Sequence, residues 1–135
     1  MIQAIDNVGI CVTDMALPVA FYEKLSFMKA FENDRGCTMV AGSAKLFLFQ
    51  TWQEYPHTVK RGLGLFKNPP GLDHISFLVS DVDQIYSGLK TNGVVFSNEP
   101  ADQDWGARVV SLRDPDGNNL YFCNGSKMAD DSERA

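Results

Sequence analysis

The sequence predicts an α+β fold: two tandem βαβββ modules whose strands make a curved eight-stranded mixed sheet with a concave cleft. Three observations carry this expectation. A strand pattern is written twice, each copy runs into a helix start, and three short strand patterns follow each helix. One module alone leaves a sheet face uncovered, so the modules are expected side by side, helices outside and cleft inside.

The repeat comes first. Residues 7–14, NVGICVTD, align with 74–81, HISFLVSD, at an offset of 67 positions, with Asp6 and Asp73 preceding the copies. Apolar Val8, Ile10 and Val12 recur as Ile75, Phe77 and Val79, the period of a strand with one face on a core. The other face, expected to line the cleft, carries Asn7, Gly9 and Cys11, then His74, Ser76 and Leu78. Asp14 and Asp81 supply capping side chains and negative charge at the helix starts. In copy one, Pro18 is expected at the first helical position, with Val19, Tyr22 and Leu25 as the apolar stripe. In copy two the stripe is Val82, Ile85, Tyr86 and Leu89, and Asn92-Gly93 closes the helix. Strands are expected near 28–32, 36–41 and 45–50, and again near 94–98, 107–113 and 119–123. Asp114-Pro115-Asp116-Gly117 is a turn in which Pro115 presets φ and Gly117 takes a positive one. Residues 1–124 thus read as a single domain: module one at 1–50, linker at 51–70, module two at 71–124, then a flexible tail at 125–135.

Composition narrows the function. The chain has 135 residues, 44% hydrophobic and 21% charged, enough for a real core. Its net charge of −5 disfavours a nucleic-acid partner and is compatible with a neutral or cationic small ligand. No run approaches the roughly 20 apolar residues of a membrane span, and the N-terminal residues do not read as a signal peptide. Cys11, Cys37 and Cys123 lack metal or redox spacing and read as free thiols of a reducing cytosol, so a cytoplasmic location is expected.

FYEKLSF at 21–27 resembles the FYxxLGF motif of the vicinal oxygen chelate superfamily, with Ser26 where Gly is usual. DWGARVVSLRDPDGNNLYF at 104–122 is similar to that superfamily's WGxRxxxxxDPDGNxxE region. With the repeat, the resemblance covers residues 2–124 and implies the glyoxalase/bleomycin-resistance fold, shared with extradiol dioxygenases. Metal-binding members carry one ligand on the first and last strand of each copy. The first-strand positions here are Asn7 and His74; aligning KLFLF (45–49) with NLYFC (119–123) makes the others Phe47 and Tyr121, where Glu, His or Gln would be usual. A catalytic divalent metal needs about three suitable protein ligands. His74 alone qualifies well, so the resemblance implies an eroded metal site and no cofactor. An atypical divalent metal site, with Glu54 or His57 of the linker supplying ligands, is the alternative.

The residues expected to contact a ligand are Asn7, Phe47, Phe49, Trp52, His74, Trp105, Arg108 and Tyr121. Asn7, His74 and Tyr121 form a polar patch or satisfy one another. Phe47 and Phe49 share a strand face, as aromatic wall or as filler of the metal's volume, and the tryptophans line the rim or pack at a subunit boundary. Arg108 binds an acidic group or, as favoured, pairs with a nearby acid. Cys11 and Cys123 share the cleft parity, and the favoured reading is buried thiols acting as small hydrophobes. The expected function is metal-independent binding or sequestration of a small molecule, with a homodimer implied by the resemblance. The rival is a lyase, isomerase or dioxygenase-like enzyme, with His74 and Tyr121 as acid and base or with an atypical metal.

Overall fold

The computed structural model describes residues 1–54, 62 and 66–125. The chain divides into two compact units, Met1–Val59 and Lys60–Ala135, and each is built as strand, helix and three strands.

In the first unit β1 is Val8–Val12, α1 is Ala16–Lys24, and β2, β3 and β4 are Met28–Glu32, Gly36–Ala41 and Ala44–Gln50. The strands order as β1-β4-β3-β2, with β1 parallel to β4 and the other pairs antiparallel. Alternation decides the faces: Ile10, Val12, Leu46 and Leu48 are buried, while Gly9, Cys11 and Phe47 are exposed. Tyr22 of α1 joins that core and meets Phe27 edge-on at 5.5 Å.

The second unit repeats this with β5 at His74–Leu78, α2 at Val82–Thr91, β6 at Ala101–Asp102, β7 at Arg108–Arg113 and β8 at Asn119–Cys123. Its order is β5-β8-β7-β6, with β5 parallel to β8. The eight strands expected from the two βαβββ modules are present as two hydrogen-bonded mixed sheets of four, one per module. Pairing register confirms the repeat residue by residue: Gly9 opposes Phe47 as Ser76 opposes Tyr121.

Three local differences have physical causes. The helix expected to begin at Pro18 begins at Ala16, leaving Pro18 in the first turn, where a missing N–H is harmless. Asp14 accepts from the Ala16 N–H at 2.9 Å but is not the cap, whereas Asp81 caps α2 by accepting from the Gln84 N–H at 3.0 Å. The strand expected at 94–98 does not form. Within it only the Ser97 N–H makes a backbone bond to β7, on the Ser111 carbonyl at 2.8 Å; the Asn98 side chain then takes the Ser111 N–H at 2.9 Å and donates to Ser111 Oγ at 2.7 Å, so no ladder continues. Pro100 then withholds a donor, and only Ala101–Asp102 pairs with β7.

Both helices end in the same motif. Phe27 and Ser26 N–H groups bond the Tyr22 and Glu23 carbonyls at 3.0 Å each; Val94 and Gly93 bond those of Leu89 and Lys90 at 3.0 and 3.1 Å. The residue after the cap is left-handed in both, Ser26 at φ 76° and Gly93 at φ 88°. The Asp114–Gly117 turn forms as expected, with Gly117 at φ 88° and its N–H on the Asp114 carbonyl at 2.9 Å.

Candidate functional site

The chemistry-bearing side chains divide between the two modules. In module two, His74 opens β5 and lies flat on the Tyr121 ring of β8, centroids 3.9 Å apart and planes 14° from parallel. His74 Nδ1 meets Asp73 Oδ1 at 2.6 Å. An ionised carboxylate can only accept, so this contact places the proton of neutral His74 on Nδ1 and leaves Nε2 with its lone pair. The other Asp73 oxygen accepts from Asn68 Nδ2, which also reaches the Gly62 carbonyl at 3.1 Å. Asn119, paired with His74 across the parallel strands, donates to that carbonyl at 3.0 Å. Its own Oδ1 is buried with no hydrogen-bond partner. Burial, reinforced by the Asp73 charge, pushes the Tyr121 phenol above its usual pKa and keeps it protonated.

Module one places Asn7 at the position of His74. Asn7 donates to Asp6 Oδ2 at 2.8 Å, repeating in amide form the bond that Asp73 makes with the imidazole. Asp6 also meets Lys45 at 3.4 Å, and both side chains are largely exposed.

The broader feature of module one is a concavity of about 500 Å³ lined by Cys11, Arg35, Phe47, Phe49, Trp52 and the polar stretch Gln50, Thr51 and Gln53. Its floor comes from β4, whose period of two puts Phe47 and Phe49 on one face, rings stacked at 5.4 Å and 26°. Glycines on the flanking strands make room for the rings. A Cβ on Gly36 would lie 2.7 Å from the Phe47 ring and 2.8 Å from the Leu48 carbonyl; one on Gly9 would lie 3.3 Å from the Phe49 ring. The Arg35 guanidinium sits 5.5 Å from the centre of the Trp52 ring, and Trp52 is 85% exposed.

The remaining expected contacts resolve differently. Arg108 is held by two hydrogen bonds to Asp83, at 2.7 and 3.0 Å, and one to Asp102 at 3.0 Å, the ion-pair reading favoured from sequence. Those carboxylates raise its pKa further, and Asp83 is held below the usual carboxylate range by the same contact. Trp105 is partly buried and packs with Tyr121 against Ala107, Val109 and Cys123. Cys123 is buried as a small hydrophobe, but Cys11 is exposed and lines the concavity, correcting the expectation that it too is buried. Glu54 is exposed, and His57 lies outside the described residues. Sequence reasoning missed Arg35, Gly36, Asn68 and Asn119. The recurrent Asp before each first strand was a visible signal for Asp73; nothing in the Asn33–Gly36 turn marked Arg35.

The four family ligand positions do not fit a divalent metal. Phe47 has no donor atom, Asn7 offers only a neutral amide oxygen, since its Nδ2 donates to Asp6, and Tyr121 is held as the neutral phenol. Among the described residues no three His, Cys, Asp or Glu side chains cluster as a metal site. No helix among them is long and apolar enough to cross a membrane.

The sequence profile of the Glyoxalase/Bleomycin resistance protein/Dioxygenase superfamily matches residues 4–122, and the chain belongs to that superfamily. Its fold is shared by a glyoxalase family protein from Enterococcus faecalis, 25% identical, covering 90% of this chain and 97% of that one, TM-score 0.73. A superfamily member from Sphaerobacter thermophilus DSM 20745 is 28% identical over 90% of this chain and 97% of its own, TM-score 0.69. A lactoylglutathione lyase from Agrobacterium tumefaciens shares the fold at 18% identity, covering 95% and 98% of the two chains, TM-score 0.70. An uncharacterized protein of Bacillus subtilis (strain 168), YraH, is 47% identical over 45 residues, 33% of this chain and 35% of YraH. The chain therefore spans about a third of the length of that curated relative.

Proposed function

We propose that this protein binds or sequesters a small molecule in a metal-independent, aromatic-floored site, acting in the cytoplasm as a homodimer. One observation carries the reading: Phe47 stands at a family ligand position and, with Phe49, forms the floor of an open concavity over two glycines. Apolar walls with a few polar groups at the edge are the usual make-up of a small-molecule pocket. The exposed edge strand β2, with Met28 and Phe31 uncovered, supports association with a second copy. Elemental analysis of the purified protein should find no stoichiometric metal, and sedimentation should give twice the chain mass. One tightly held metal per chain, lost in His74→Ala, would overturn the metal-independent reading.

The Asp73–His74 contact favours a second reading, a metal-free enzyme in which His74 Nε2 acts as base beside the neutral Tyr121 phenol. It requires turnover that survives chelator and disappears in His74→Ala. Turnover that chelator abolishes would exclude it.

A further inference from the structure

We propose that the module-one concavity recognises a planar aromatic anion: its ring lies against Phe47 and Phe49, and its negative group meets the Arg35 guanidinium. The inference deepens the small-molecule reading above and rests on it.

The floor selects a ring. The Phe47 and Phe49 rings, offset-stacked with centroids 5.4 Å apart, give the concavity an apolar aromatic floor, and Gly9 and Gly36 leave the space that the rings occupy. Flat aromatic ligands fit such a surface by offset stacking and burial of apolar area.

Arg35 selects the charge. Among the described residues it is the one charged residue in the lining; the others there are neutral. Glu32, Asp34 and Glu54, acids close in sequence to lining residues, are not part of it. Three other basic side chains are committed to carboxylates: Lys29 to Glu32, Lys45 to Asp6, and Arg108 to Asp83 and Asp102. Arg35 has no carboxylate partner among the described residues. It is nonetheless held in place. Asn33 Oδ1 accepts the backbone N–H groups of both Arg35 and Gly36 at 2.9 Å, pinning the turn, while Trp52 supports the guanidinium. A planar guanidinium with free donors beside an apolar surface is suited to a carboxylate, sulfonate or phosphate.

The chain's net charge of −5 does not oppose this. At physiological salt, fields from exposed charges are screened over about 8 Å, so a ligand on the floor responds mainly to Arg35. Overall charge pointed toward neutral or cationic ligands, and the local arrangement reverses that preference.

Calorimetric titration with three matched probes tests the proposal: 2-naphthoate, 2-naphthalenemethanol and 2-naphthylmethylammonium. The acid should bind at least about tenfold more tightly than the alcohol, the size of one charge-assisted contact, and the ammonium should bind most weakly. Arg35→Gln should shrink the gap between acid and alcohol to below about twofold, and Arg35→Glu should favour the ammonium. Arg35 is exposed, so circular dichroism should show both variants folded. Equal affinity for the three probes, or tightest binding of the ammonium, overturns the anion assignment and leaves the small-molecule site standing. Binding of none of them overturns both.

Discussion

The two modules share a backbone and exchange side-chain volume on one sheet face. Pairing register makes Gly9, Gly36, Phe47 and Phe49 of module one equivalent to Ser76, Val109, Tyr121 and Cys123 of module two. Module one puts its bulk on β4 and keeps the flanking strands small, with Gly9 and Cys11 on β1 and Gly36 and Thr38 on β3, and the face stays open. Module two moves bulk to β7 as Val109 and shrinks the β8 position to Cys123, closing a small cluster with Ala107 and Trp105. Tyr121 then turns to His74. The repeat thus conserves the scaffold while its faces diverge into an aromatic floor and a hydrogen-bonded imidazole.

The largest break in this comparison should be Gly36→Val, which gives module one the residue found at the equivalent place in module two. The new side chain meets the Leu48 carbonyl as well as the Phe47 ring, and backbone cannot yield as a ring can. We expect a loss of about 2–3 kcal/mol, read from urea denaturation. Stability within about 0.5 kcal/mol of the parent would show that the glycine is not required by the rings.

Next in size is the aspartate that precedes each copy. Asp73→Ala should cost about 1–2 kcal/mol, because His74 and Asn68 lose a shared, half-buried acceptor. Long-range proton–nitrogen NMR should also show His74 losing its preference for a proton on Nδ1. Asp6→Ala removes the equivalent bond from an exposed, solvent-screened site and should cost clearly less. Equal losses would erase the distinction between the two sites.

A smaller effect separates the helix ends. Gly93→Ala should cost about 1 kcal/mol, since it forces a Cβ into the left-handed region. Ser26→Gly should add up to about 1 kcal/mol by relieving that strain in module one. Thermal melts of the two variants should move in opposite directions; movement together would mean that something else holds Ser26 in place.

The scaffold was legible because it rests on local signals. Period-two alternation placed β1 and β5, the short strands expected after each helix recur as β2, β3, β4, β7 and β8, and the Asn92-Gly93 stop and the Asp114–Gly117 turn carried their own backbone chemistry. The 94–98 segment misled because its apolar residues look like a strand, while the Asn98 amide that replaces the ladder is a tertiary contact. The site was legible in part. Phe47, His74 and Tyr121 followed from aligning the copies, but Arg35 reaches Trp52 across 17 residues of chain, a contact no periodicity announces. Cys11 was misread for a related reason: which strand face is buried depends on what covers it.

The two arginines offer the finest test. Arg35 keeps its donors available, whereas Arg108 spends its guanidinium on Asp83 and Asp102. Asp83 sits below its usual pKa of 3.8 because of that contact, so the pair's contribution is present above the unfolded carboxylate value and fades as pH falls through the folded one. Asp83→Asn should therefore be slightly less stable than the parent at pH 7, and the difference should vanish once the pH falls low enough to protonate Asp83 in the folded protein. The pair is exposed, so added salt should shrink the difference as well. The same variant leaves Arg108 only Asp102. If freeing an arginine were enough to attract an aromatic anion, Asp83→Asn would acquire a second 2-naphthoate site in calorimetry. We expect no such site, because the stacked Phe47–Phe49 floor belongs to the other module.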